Sequence, residues 1–256
     1  MSKEREGITR ADAGSRYCFT EHEFFALAGS LGIRQLYGFR PDEPLGQGEK
    51  ELHRLLFQMT AKRFLEPSGQ DFVVVPEIRE IFEFLGRADR AIAILSADNG
   101  FPAKCIYPGE KAVLVEAGGL QGKYFKCCCG PCEELLETAF ESGGLLPGNM
   151  ADDLLYRAEP VSAESLDDAD LEKLCGMLWP FDAVTEMKKL SEYGVRTVLE
   201  KRDISSGRLL ARILLAERPV YDAAVTQEEE SLEIYQYSRR LVTELVQDWM
   251  QVPPVG

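Results

Sequence analysis

One sequence pattern occurs twice in this chain of 256 residues, and it constrains the fold more than any other feature. The first copy, beginning at residue 90, reads RAIAILSADNGFPAKCIYPGEKAVLVEA, and the second, beginning at residue 196, reads RTVLEKRDISSGRLLARILLAERPVYDAAV. With one offset and no gap, three residue pairs align: Arg90 with Arg196, Ala117 with Ala223 and Leu135 with Leu241. Each copy predicts a strand, a polar turn (residues 98–100 and 205–207), two more strands and a short segment that runs into an amphipathic helix. The pattern therefore predicts two α+β halves that share a core and arose by duplication.

The residues before the repeat predict helices and one β-hairpin. Thr20 followed by Glu23 is a capping box that begins a first helix, a second helix covers residues 49–64, and a strand is expected at Phe72 to Val75. Pro76 is suited to the first position of a third helix. Apolar side chains at helical spacing are expected to face the core in all three helices: Phe24, Leu27, Ala28 and Leu31; Leu52, Leu55, Leu56 and Met59; Ile78, Ile81, Phe82 and Leu85. The order helix, helix, hairpin is that of a winged helix.

We therefore expect an α+β fold with a winged-helix-like N-terminal segment and two pseudosymmetric halves, each an antiparallel sheet flanked by helices. Residues 1–16 are expected to form a flexible arm. The N-terminal half then covers residues 17–150, with the winged-helix-like segment at 17–89 and a β-rich segment with its helix at 90–143. A Gly/Pro break and an acidic stretch at residues 142–170 mark the joint, and the C-terminal half covers residues 151–256.

Charge and hydropathy narrow the function classes. With 43 acidic against 29 basic residues, the formal net charge is −14, and this argues against nucleic acid or an anionic membrane as the partner. No apolar run reaches 18 residues, and the first residues lack the apolar stretch of a signal peptide, so we expect a cytoplasmic protein without membrane insertion. A winged-helix transcription regulator stays an alternative, although the second helix carries cations and carboxylates in mixture and not a consistently basic face.

The sharpest chemical signal is the run of cysteines at residues 127–132. Cys129 and Cys132 match the CGPC motif of thioredoxin and stand where a strand runs into a helix, whose N-terminus could lower a thiol pKa. The pair is therefore a candidate for thiol-disulfide exchange, as the catalytic residues of an oxidoreductase. The competing interpretation is structural, with Gly130 in the turn and Pro131 at the first helical position. No second Cys/His pair has zinc-ligand spacing, so we expect neither a metal nor another cofactor.

The closing helix, SRRLVTELVQDWMQ, is the candidate partner surface. Its apolar residues form two neighbouring stripes, Leu241, Leu245 and Trp249 on one and Val242, Val246 and Met250 on the other. Two stripes are wider than one buried face requires, so one is expected to pack on the sheet while the other binds a helical protein. The candidate partner-binding residues are Val242, Val246, Met250, Trp249 and, on the preceding strand, Tyr235.

The order of these segments resembles the EspG-type chaperones of type VII (ESX) secretion. The resemblance rests on FTEHEFFALAGSLGI, the segment ELHRLLFQMTAKRFLEPSGQDFVVVPEIREIFEFL, the strand RAIAIL, and GVRTVLEKRDISSGRLLARILLAERPVY with the closing helix. It covers most of the chain without a signature motif. It implies a cytosolic, non-enzymatic protein that binds secreted helical-hairpin substrates through its C-terminal half, here residues 196–249. No individual residue role is carried over by the resemblance.

Overall fold

The computed structural model of the chain describes residues 16–33, 36–39, 48–96, 102–118, 124–141, 160–161, 169–177, 183–218, 222–228 and 231–251. The helices in these ranges are α1 (Glu21–Ser30), α2 (Glu49–Ala61), α3 (Pro76–Arg87), α4 (Cys132–Glu141), α5 (Ala169–Met177), α6 (Ala183–Glu192) and α7 (Arg239–Met250). The strands are β1 (Arg16–Thr20), β2 (Leu65–Ser68), β3 (Asp71–Val74), β4 (Arg90–Ser96), β5 (Pro102–Tyr107), β6 (Ala112–Gly118), β7 (Tyr124–Gly130), β8 (Val195–Asp203), β9 (Leu209–Ala216), β10 (Ala223–Glu228) and β11 (Ser231–Gln236). Within these ranges, no helix has the length and apolar character needed to span a membrane.

A nine-stranded antiparallel sheet organises the molecule, in the order β1-β7-β6-β5-β4-β8-β9-β10-β11. At its centre β4 pairs with β8 over seven residue pairs, from Arg90 opposite Asp203 to Ser96 opposite Thr197. From this joint each repeat copy continues outward as a four-stranded meander, β4 to β7 on one side and β8 to β11 on the other. Each meander runs into a helix, α4 or α7. The expected α+β class is therefore observed, and both copies have the same strand order.

The gapless offset between the copies does not hold throughout. Leu135 and Leu241 occupy similar places near the start of α4 and α7, and both are buried. Ala117, however, lies next to the last residue of β6, whereas Ala223 begins β10, because the strands and the connections between them differ in length. The turn at 98–100 lies outside the described residues, as do residues 1–15 of the predicted arm and most of the predicted joint at 142–170. That the two meanders superpose and arose by duplication stays a prediction.

The first face of the sheet carries one apolar core that spans both meanders. Side chains alternate across the strands, so Ile92 and Ile94 of β4 lie on the same face as Leu199 of β8 and Ile213 of β9. Helices α4 and α7 contact each other and pack together on this face. The two meanders therefore share one core.

The second face carries two separate apolar clusters. One lies over the N-terminal meander and includes residues of α1, α2, α3 and the β2–β3 hairpin, and the other lies over the C-terminal meander and includes Leu174 of α5 and Leu190 of α6. Glu200 and Arg212 lie on this face and are fully buried, with Arg212 Nη2 2.6 Å from Glu200 Oε1. Arg202 Nε lies 2.8 Å from the other carboxylate oxygen, and the Tyr37 hydroxyl donates to that oxygen at 3.5 Å. A buried ionic cluster thus stands in the middle of the sheet.

The N-terminal segment has the predicted helix, helix, hairpin order. The capping box is present: the Glu23 carboxylate accepts from the Thr20 amide at 2.8 Å, and the Thr20 hydroxyl accepts from the Glu23 amide at 3.3 Å. Pro76 is the first residue of α3, as predicted. Strand β1 was not predicted, and it begins at Arg16, the last residue of the predicted arm, because it pairs with the distant β7. The winged-helix assignment itself stays a prediction.

The buried ionic cluster generates a stability prediction. Replacing Glu200 with Ala leaves the charge of Arg212 in the interior without its carboxylate, and we expect a loss of about 3–5 kcal/mol in the free energy of unfolding. Glu217 pairs with Arg196 at 2.8 Å on the surface, so Glu217→Ala is the matched control, with an expected loss of about 0–1 kcal/mol. Urea denaturation followed by circular dichroism measures both, and equal small losses would contradict the burial of the cluster.

Candidate functional site

The closing helix α7 does not offer the expected partner surface. Its predicted contact residues are buried in the shared core, with exposed fractions of 0% for Val242 and Val246, 5% for Met250 and 4% for Trp249. Tyr235 on β11 is 8% exposed. The expectation that one stripe stays available is wrong, because the sheet covers one side of α7 and α4 covers another. The width of the apolar surface is explained by two neighbours inside the molecule.

The cysteine pair lies in a setting that disfavours thiolate chemistry. Cys129 is in β7 opposite Val113, and Cys132 is the first residue of α4. Burial raises the pKa of the Cys129 thiol to about 11, and the negative charge of Glu80 adds to the effect. Burial also raises the pKa of Cys132. The expected lowering of a thiol pKa by the helix N-terminus is therefore wrong for this pair, because desolvation outweighs it.

Local backbone geometry accounts for the CGPC residues. Gly130 ends β7 opposite Ala112, and the Pro131 carbonyl accepts from the Leu135 amide at 3.2 Å. Pro131 thus stands one position before the helix and not at its first position, a correction of one residue. All seven cysteines are free thiols. Among the described residues, no three His, Cys, Asp or Glu side chains are grouped so as to hold a metal ion.

Exposed apolar side chains instead concentrate in residues 48–74. Of the six large apolar side chains exposed in the described part of the chain, four belong to this segment: Leu52, Phe57, Phe72 and Val73. The prediction that α2 buries Leu52 is wrong, since this residue is 54% exposed, whereas Leu55 and Leu56 are half-buried and Met59 is buried. Burial increases towards the C-terminal end of α2, where the chain turns into the β2–β3 hairpin. The residues of the first turn of α2, which include Leu52, are all exposed.

A stripe of three exposed residues runs along the outer side of α2. Lys50, Arg54 and Phe57 are spaced four and three residues apart, which places them on one side of a helix, and we call them the α2 stripe. Phe57 is 75% exposed. The side chains of Lys50 and Arg54 make no hydrogen bond or ion pair with another described residue, whereas His53 Nε2 lies 3.8 Å from Glu49 Oε1. The stripe combines an exposed aromatic ring with two cations.

The charge of this segment differs from that of the whole chain. Residues 48–74 hold four Lys or Arg and four Asp or Glu, so they are neutral within a chain of net charge −14. A neutral, apolar surface on an acidic protein is a candidate site for protein contact. Of these exposed residues the sequence pattern places only Leu52 in the core, and it assigns Phe72 and Val73 to a strand. The signal that points to this surface is Phe57, which lies outside the apolar side of α2.

A surface cavity of about 600 Å³ lies between the C-terminal ends of α1 and α3 and the turn after β8. Two of its carboxylates form ion pairs: Glu83 Oε2 lies 3.5 Å from Arg87 Nη2, and Asp89 Oδ1 lies 3.3 Å from Arg90 Nε. Hydrogen bonds from Ser205 and Ser206 lower the pKa of the third carboxyl, Asp203, to about 2. A carboxyl held ionised in this way is poorly suited to donate a proton near neutral pH, so the cavity does not resemble an acid-base site.

Comparison with known proteins shows a likeness in fold. No protein-family model and no curated protein sequence matches this chain. A solved structure, that of the Mycobacterium tuberculosis type VII secretion system chaperone EspG5 in complex with a PE25–PPE41 dimer, contains a chain of similar fold. The TM-score is 0.55 and the sequence identity 13%, over 94% of this chain and 98% of that chain. At this identity the likeness shows the fold alone, and at that level it supports the predicted resemblance.

The raised thiol pKa values predict slow, pH-dependent chemistry. At pH 7 about one Cys129 thiol in ten thousand would be ionised, so alkylation by iodoacetamide should be slow and should accelerate about tenfold per pH unit up to pH 11. Mass spectrometry of Cys129 after timed alkylation measures this, with Cys129→Ser as the matched control. Insulin reduction with a potential near −270 mV, the thioredoxin range, would contradict the structural role.

Proposed function

We propose that this chain is a non-enzymatic protein-binding factor, a chaperone or adaptor that holds a secreted helical protein in the cytoplasm. The observation that carries the proposal is the likeness in fold to EspG5 along nearly the whole of both chains. The solved complex describes EspG5 as a secretion chaperone bound to a PE25–PPE41 dimer. The proposal extends that kind of activity to this chain.

Features of the described residues support binding over catalysis. Exposed apolar side chains gather on α2 and the β2–β3 hairpin. They do not contribute to the chain's own core, and such an exposed apolar surface is typical of a binding site. The candidate thiols have raised pKa values, which weighs against the alternative of a thiol-disulfide oxidoreductase. The alternative of a winged-helix transcription regulator is disfavoured by the neutral charge of residues 48–74, since phosphate contacts need a surplus of cations.

The shared core supports treating the molecule as one binding unit. We propose that residues 17–150 and 151–256 are two halves of a single folded body, because β4 pairs with β8 and α4 contacts α7. A partner would then meet a rigid surface and not a hinge between independent domains.

Capture of a partner tests this function. The full-length chain, carrying an affinity tag, is expressed in its native host and cross-linked, and captured proteins are identified by mass spectrometry. We expect enrichment of a helical protein that forms a stoichiometric complex when it is co-expressed with the chain and passed over a sizing column. The Glu200→Ala variant, which we expect to be destabilised by about 3–5 kcal/mol, serves as the control for retention by a partly unfolded chain. Purification of the native chain alone, with no protein enriched over that control, would contradict the proposal.

A further inference from the structure

We propose that the α2 stripe, Lys50, Arg54 and Phe57, is a docking site for an acidic amphipathic helix of the partner protein. This inference rests on the proposed function, and it moves the contact surface from the closing helix to the N-terminal segment. Phe57 provides the apolar anchor, and the two cations select carboxylates beside it.

Exposure of an aromatic ring is the first argument. Phe57 is 75% exposed, more than any other large apolar side chain in the described residues. Leaving a phenylalanine in water forgoes the free energy of its burial, and aromatic side chains are enriched among the residues that dominate protein interfaces. Leu241, Val242 and Val246 of α7 are by contrast buried in the shared core. Of α2 and α7, it is thus α2 that exposes an apolar side chain on which a partner could pack.

The spacing of the stripe matches a second helix. With a rise of about 1.5 Å per residue, Lys50 and Arg54 lie about 6 Å apart along α2, and Arg54 and Phe57 about 4.5 Å apart. A partner helix laid along α2 repeats the same intervals, so carboxylates one turn apart can meet Lys50 and Arg54 while an apolar side chain one turn further packs on Phe57. An extended peptide, whose side chains alternate every 3.3 Å, matches these intervals less well.

The two cations of the α2 stripe favour a partner helix that is acidic. The chain has a net charge of −14, so an acidic helix is repelled by most of its surface, whereas residues 48–74 are neutral and place two cations in the stripe. The same segment disfavours nucleic acid: Glu49 and Glu51 stand in the same first turn as Lys50, so this turn lacks the surplus of cations that phosphate contacts need. A short helix with two carboxylates and one apolar residue needs only the two cations and Phe57, whereas a nucleic acid brings a continuous row of phosphates.

A synthetic probe tests the docking site directly. The probe is a fluorescein-labelled helical peptide of about 20 residues, with leucines along one stripe flanked by glutamates, and a second peptide replaces every glutamate with lysine. Binding to the full-length chain is measured by fluorescence anisotropy at low and high salt. We expect the glutamate peptide to bind, with weaker binding at high salt because exposed charges are screened, and the lysine peptide to bind at least tenfold more weakly.

Variants then assign the site. Phe57→Ser and the double variant Lys50→Glu/Arg54→Glu should each weaken binding of the glutamate peptide about tenfold or more, and the double variant should shift the preference towards the lysine peptide. The matched control is Tyr124→Ser/Lys126→Glu, which changes an exposed aromatic residue and an exposed cation on β7. All changed side chains are exposed, so thermal melts of the variants should match the native chain. Equal binding by the α2 variants and the native chain would overturn the proposal, as would stronger binding of a 20-base-pair DNA duplex that depends on the same residues.

The result is separable from the test of the proposed function. If the native chain captures a partner in cells and Phe57→Ser captures it equally well, the α2 stripe is not the docking site, although the protein-binding function stands. Loss of capture in Phe57→Ser, with capture retained by the β7 control, supports both proposals together. Absence of capture by the native chain would overturn the function on which this inference rests.

Discussion

The pairing of β4 with β8 is the interaction on which the rest of the structure depends. Seven residue pairs join two meanders that would otherwise be separate four- and five-stranded sheets. Once they are joined, α4 and α7 lie on the same face and meet each other, and the apolar residues of both become one core. The burial of α7 is a direct consequence, because a helix between a sheet and a second helix needs apolar residues on two sides.

The second face shows how the same joint limits where a partner can bind. This face carries the buried pair Glu200 and Arg212 together with two separate apolar clusters. The Arg202 guanidinium lies 5.5 Å from the centre of the Tyr37 ring, a contact between the segment after α1 and β8. Helices α1 and α3 bury Phe24, Ile78 and Phe82 in the N-terminal cluster. Helix α2 reaches that cluster mainly at Met59, so its outer side keeps Phe57 exposed. The α2 stripe thus stays exposed because the N-terminal cluster does not cover the outer side of α2.

Local patterns predicted the elements well, whereas long-range pairing decided the site. The capping box at Thr20, the start of α3 at Pro76 and the buried side of α3 follow from residues within one or two turns, and each is observed. Periodicity identifies which residues share a side of a helix, but not how many neighbours that helix has. This is why Val242 and Val246 were expected on the surface and Leu52 in the core, each the reverse of what the structure shows. The thiol pKa of Cys129 was missed for the same reason, since desolvation depends on strands distant in sequence.

Native-state hydrogen exchange tests the central claim, that the two halves form one cooperative body around the β4–β8 joint. If the account is correct, the slowest amide protons of β4, β8 and α7 exchange with the same opening free energy, equal to that of global unfolding, and denaturant lowers all of them in parallel. Residues 90–141 and 195–250 would then behave as one unit. Two distinct opening free energies, one for each of these ranges, would show that the halves unfold independently and would contradict a shared core.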